Sequence, residues 1–267
     1  MPDAVLHALP GRSRHYARTD RGVVVPSVTT IVGLTPKPYL LNWVVKLAAE
    51  WAADNAEALA QMDWLERVET IKRETRVLRE EGAKRGTALH EFAELYLWAG
   101  VFEPGSLNNA TAGVVAILER LQPEVLYTEA VVWNGDVGYA GTVDGVWRVC
   151  TAEGYETWLI DWKSSKSRSA EWAIQLEAYK RAETIFAPDG TEHLMPYIDK
   201  TVVLWTPYEG PCGILPVLTT NSEWEAFIAA ARVLHWTRVR GVKEVFGPLA
   251  VTDLQQENIN RNENGHD

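Results

Sequence analysis

Between Val125 and Ser164 the chain passes through three apolar or alternating runs, "VLYTEAVVW", "GYAGTVDGVWRV" and "ETWLIDWKS", joined by "NGDVG" and "CTAEG". A period of two puts successive side chains on opposite faces of a strand, and short joins rich in Gly, Asp and Asn are hairpin chemistry. These runs predict an antiparallel meander. Helical periodicity follows from about Ser169 to Ile185, then a strand "KTVVLWTP", a shorter "GILPVL" and a last amphipathic helix from Ser222 to about Arg240. A meander that continues into a helix and then another strand closes as one sheet with helices laid on it. The predicted fold class is therefore α/β, a mixed central β-sheet flanked by helices.

The segment before the meander reads differently. Ser13 to Gly33 has the pattern of a short hairpin turning near Asp20-Arg21-Gly22, with a helix start near Ser27. "TPKPYLLNWVVKLAAEWAADNAEAL" carries apolar residues at helical spacing behind two prolines, and further helices are expected from about Asp63 to Glu81 and from about Ala83 to Ala99. The predicted organisation is a hairpin and helical region over 1–83, a core over 84–251, and a disordered tail over 252–267. That tail, "TDLQQENINRNENGHD" from Thr252, is polar and aperiodic.

A chain of 267 residues, 46% hydrophobic and 23% charged, has enough apolar material for a sizeable core. Neither a signal-peptide pattern nor a membrane-spanning run is present, so a cytoplasmic protein is expected. The two cysteines, Cys150 and Cys212, have no metal-binding spacing and read as core thiols, which argues against an iron–sulfur cluster. A net charge of −10 counts against a generic nucleic-acid binder, because phosphate affinity comes largely from Lys and Arg. Any nucleic-acid contact must be local. Two stretches are locally basic, "RETRVLREEGAKR" (Arg73 to Arg85) and "KSSKSR" (Lys163 to Arg168).

The chemistry concentrates in "WLIDWKSS". Asp161 and Lys163 share one face of their strand, opposite Ile160 and Trp162. Asp144, in "GTVDGV", lies on the preceding hairpin strand, where antiparallel pairing would bring it level with Asp161. Gly141 and Gly145 beside it would leave room for something bulky to approach. His90 has Glu94 one turn on along its helix, and Gln175 and Tyr179 project from one face of the helix after Lys163. Two carboxylates, an imidazole and the main-chain carbonyl of Trp162 make a mainly hard donor set, suited to Mg²⁺ or Mn²⁺ rather than zinc. A cation beside such an ion could meet charge developing on a phosphate.

"GTALH", "GYAGTVDGV", "LIDWKSS" and "QLEAYK", in this order, resemble the motifs of the PD-(D/E)XK nuclease superfamily. The resemblance is to the RecB-like exonuclease branch of bacterial recombination machines and phages, and it covers about residues 84 to 206. "PSVTTIVGLTPKPYLLNWVVK" is similar to the opening of phage-encoded members. The resemblance implies a restriction-endonuclease-like core and a metal-dependent DNA exonuclease that resects ends for recombination or replication. A structure-specific endonuclease and a catalytically silent DNA-binding relative are the alternatives. His90, Asp144, Asp161 and the Trp162 carbonyl would hold the metal, and Lys163 would be the catalytic lysine. Gln175 and Tyr179 would order the site, Glu129 matches an acidic position at the edge of such sites, and Lys166 and Arg168 would contact DNA. Asp161 stands where Glu is more usual. Implied partners are DNA, a single-strand annealing protein or other recombination factors, and further copies of the chain.

Overall fold

The structure is a computed structural model that describes residues 6–9, 15–36, 38–100 and 108–239. The predicted tail lies outside the described residues.

The N-terminal segment makes a small antiparallel sheet of β1 (Leu6–Leu9), β2 (His15–Arg18) and β3 (Val23–Pro26), with Gly22 at φ +61° in the turn before β3. Ser27 then caps α1 (Val28–Val32), its side chain accepting from the Thr30 amide at 3.0 Å. α2 (Pro38–Asp54) begins on a proline, which has no amide hydrogen to leave unpaired in a first turn. A short α3 (Ala56–Ala60) leads to α4 (Trp64–Ala99), capped by Asp63 and closed by Gly100 in the left-handed region.

α4 corrects the expectation of two helices. Its 36 residues run unbroken through 82–83, because Gly82 costs only about 1 kcal/mol inside a helix and no proline interrupts the ladder. The boundary anticipated at 83/84 therefore falls inside a helix. α5 (Asn109–Leu121), which the sequence reading passed over, opens with a reciprocal capping box between Asn108 and Thr111.

The large sheet is mixed, with seven strands in the order β10-β9-β6-β5-β4-β7-β8. β4 (Glu124–Asn134), β5 (Tyr139–Thr151) and β6 (Gly154–Lys163) form the expected meander. α6 (Glu171–Lys180) is shorter than predicted. Residues past it form β7 (Thr184–Phe186), which pairs with β4 and with β8 (Glu192–Leu194). Sheet pairing thus overrides helical propensity at that end. β9 (Lys200–Trp205) lies parallel to β6, with β10 (Gly213–Val217) antiparallel on its outer side, and α7 (Asn221–Val239) follows.

One face of the sheet carries Trp147, Val149, Ile160, Trp162, Val202 and Leu204 against Leu89 and Ala93 of α4 and Val114 and Leu118 of α5. Ile160 and Trp162 belong to this core, so alternation puts Asp161 and Lys163 on the other face. The chain divides into units of residues 1–231 and 232–267; of the second, the described part is the end of α7. Among the described residues no helix is long and apolar enough to cross a membrane.

Candidate active site

The β5–β6 ladder runs from Thr151 and Gly154 to Gly145 and Ile160, and stops. β5 continues against β4, while β6 continues against β9 as far as Lys163 and Trp205. The two central strands part like a fork. Both backbone groups of a strand residue point to the same side, so Trp162, two residues beyond the last pair, turns its N–H and C=O into the gap. Side chains answer both groups. Asp144 Oδ2 accepts from the Trp162 amide at 2.6 Å, and His90 Nε2 lies 3.1 Å from the Trp162 carbonyl. The fork is therefore closed without orphaned backbone, and in closing it two candidate ligands are fixed.

A carbonyl only accepts, so His90 Nε2 carries the proton and in the neutral ring Nδ1 offers a lone pair. That Nδ1 lies 3.5 Å from Asp144 Oδ2. Two acceptors facing one another repel, and a cation between them relieves the repulsion. Glu129 joins them from β4, between the pairs Thr128–Gly145 and Ala130–Val143, and so stands in register with Asp144. Its φ is +46°, a left-handed conformation costing a non-glycine residue about 1 kcal/mol. One ligand atom from each of His90, Glu129 and Asp144 lies within 4.8 Å of the others. This donor set fits a divalent cation.

Asp161 lines the same cleft but stands outside that trio. It is 2% exposed, and its Oδ1 accepts from Gln175 Nε2 at 3.0 Å; the same amide nitrogen donates to the Tyr179 hydroxyl at 3.3 Å. Lys163 Nζ lies 2.5 Å from Oδ2. The contact is a short, charge-assisted ion pair inside the protein. Burial pushes the Asp161 carboxyl up to about 6, against the pull of Lys163 and with a further push from Asp144. Burial also opposes charge on Lys163, but Asp161 and Asp144 outweigh it and hold the ammonium above the ordinary lysine value. Both partners are buried, but the lysine faces two carboxylates and Asp161 one cation, so the lysine is the member that keeps its charge. Burial, with Asp161 and Asp144 nearby, raises Tyr179 far above a free phenol, so it stays neutral.

The fork opens into a cleft of about 440 Å³, lined by His90, Glu129, Asp144, Asp161, Lys163, Gln175 and Tyr179. Of the residues expected to work together, these seven share one space. Lys166 and Arg168 do not line it. They stand on the loop after β6, Lys166 paired at 3.7 Å with Glu209 and Arg168 over the Trp205 ring. Thr29, Thr87, Thr142, Glu91 and Glu94 also line the cleft. Thr29 comes from α1, and the Ser27 cap in "SVTT" was its only sequence signal; nothing in sequence showed that α1 returns to the sheet.

Two expectations are corrected. The space beside Gly141 and Gly145 is filled by the protein's own aromatic rings. A Cβ on Gly141 would lie 2.6 Å from Tyr179 Cε1, and one on Gly145 would collide with the Trp147 indole. Nor are the cysteines both core thiols: Cys150 is exposed, because it falls on the outward side of β5, and Cys212 is half-buried beside Asn109. Compared with protein-family models and with curated proteins, the sequence matches none.

Proposed function

We propose that the cleft hydrolyses DNA phosphodiester bonds with a divalent ion, Mg²⁺ or Mn²⁺. The observation that carries this reading is the convergence of His90, Glu129 and Asp144 within 4.8 Å in the same cleft as the buried pair Asp161 and Lys163. Two carboxylates with one imidazole and no thiolate suit a hard ion. When bound, such an ion supplies Lewis acidity at the phosphoryl oxygen and lowers the pKa of water.

The chain's own residues do the rest. The Trp162 carbonyl orients the His90 ring and fixes its tautomer, leaving Nδ1 for the ion. Gln175 holds Asp161, and Asp161 holds Lys163 over the cleft. Because Asp161 and Asp144 keep Lys163 charged, it acts as a fixed cation for the extra negative charge of the transition state, not as a base. Tyr179, neutral and buried, braces Gln175.

An exonuclease fits best as the finer reading, with an endonuclease on the same core as the rival. Linear DNA incubated with the protein and Mn²⁺ should be degraded, and a chelator should stop it. DNA left intact in Mn²⁺, with the ion nevertheless bound, would mark a silent nuclease-like protein instead.

A further inference from the structure

The chain has 36 acidic side chains against 26 Lys and Arg, so an arginine left for an anion has to escape a carboxylate. Arg18, Arg73, Arg76, Arg148 and Arg181 are all paired in this way. Arg85 and Arg168 are among the described arginines that have no such partner, and they are the ones near the Lys163 end of the cleft. Each instead lays its guanidinium over an aromatic ring, Arg85 at 5.7 Å from the centroid of Tyr208 and Arg168 at 5.8 Å from that of Trp205. Such a platform orients the guanidinium, lowers the entropy cost of using it, and leaves its N–H edge for an anion.

Trp205 ends β9 and Tyr208 lies on the segment that leaves it, and both are fastened to the Lys163 end of the cleft. The Thr206 amide donates to the Lys163 carbonyl at 2.9 Å and Trp205 Nε1 to the Ser165 carbonyl at 2.8 Å. The Tyr208 hydroxyl donates to the Arg85 carbonyl at 2.7 Å. α4 and the loop after β6 touch at Gly86, where an added Cβ would lie 3.7 Å from Ser164 Oγ. Arg85 and Arg168 therefore stand at one end of the cleft, in positions set by three separate hydrogen bonds.

The other end has the opposite sign. α4 runs along the cleft, and at about 1.5 Å per residue Arg85 lies roughly 7 Å before His90 and Glu94 roughly 6 Å beyond it. Glu91 and Glu94, outside the His90, Glu129 and Asp144 trio, line the cleft on that side. A polyanion is attracted to the arginine end and repelled along the acidic one.

We propose that Arg85 and Arg168 clamp the phosphates on one flank of the strand whose scissile phosphate meets Lys163, while the other flank is ungripped. The inference rests on the nuclease reading of the same cleft. Two braced guanidiniums would hold the backbone without reading bases, and a grip on one side of the scissile phosphate favours trimming from an end over cutting within a strand. Both arginines are positioning residues.

Binding of a short fluorescein-labelled single strand, followed by anisotropy in Ca²⁺ over a range of salt, tests the clamp. Arg85→Ala and Arg168→Ala should each weaken binding about five- to tenfold and lower the slope of log K against log salt by about one. Lysine at either position should restore the slope but only part of the affinity. Arg148→Ala, whose partner is Glu124 at 3.0 Å, should change neither. Wild-type affinity and slope in both alanine variants would overturn the clamp. In Mn²⁺ the wild-type protein should degrade a linear single strand and spare a covalently closed one. Equal cutting of the circle would overturn the one-sided grip and leave the nuclease reading standing. No cutting of either strand, with the binding losses observed, would overturn the nuclease reading and leave the clamp.

Discussion

At Asp161 a carboxyl that is 2% exposed faces one lysine and a second carboxylate, and burial raises it to about 6. Between the unfolded value near 3.8 and about 6 the folded chain therefore binds more protons than the unfolded one. Stability should fall as pH rises through that window, by on the order of 3 kcal/mol in metal-free protein. Scanning calorimetry of wild type and Asp161→Asn between pH 5 and 7 isolates the effect. The stability of the variant relative to wild type should rise with pH toward 7; a constant difference would mean that Asp161 titrates normally. Lys163 gives the complementary test. A fixed cation serving the transition state predicts that Lys163→Ala slows single-turnover cleavage at least about 10²-fold while DNA binding weakens far less. A solvent-face partner of Asp161 would leave the rate unchanged.

Two elements show why the site was partly legible in sequence. Alternation in "WLIDWKSS" was enough to put Asp161 and Lys163 on one face, and a hairpin register was enough to bring Asp144 near. What alternation cannot show is where a ladder ends. The parting of β5 from β6 after Gly145 and Ile160 is a tertiary choice, made because β9 takes one side of β6 and β4 holds the far half of β5. That choice frees the Trp162 backbone, recruits His90 and sets Asp144. The glycines were misread for a similar reason, since only the packed structure shows Tyr179 of α6 and Val28 of α1 meeting over Gly141. Gly141→Ala is then an overpacking change. It should cost about 1–3 kcal/mol in denaturant titration and lower cleavage by displacing Tyr179 and, through it, Gln175. Wild-type stability would mean that the gap at Gly141 is slack.

Over the whole molecule, the N-terminal segment that reads as separate is part of the core. Tyr16, Val25 and Val28 are at most 4% exposed, Tyr16 and Val25 pack with Trp133, Ala140 and Phe186, and the Tyr16 hydroxyl meets Thr142 at 2.8 Å. A chain beginning at residue 84 would expose these surfaces and cut α4 in two. It should lack a cooperative thermal transition by circular dichroism, and a sharp transition would restore the boundary that the sequence suggests. On the proposed nuclease reading the same integration explains why composition misleads: an acidic chain would handle a polyanion only where cations and candidate metal ligands meet in one cleft. The most direct test of that account is the initial rate of cleavage of end-labelled DNA as Mn²⁺ is titrated, for wild type and Asp144→Ala side by side. The account predicts a saturable, Mn²⁺-dependent rate in the wild type and a loss of at least about 10²-fold in the variant at every concentration. Cleavage that ignores Mn²⁺, or that survives in Asp144→Ala, would contradict it.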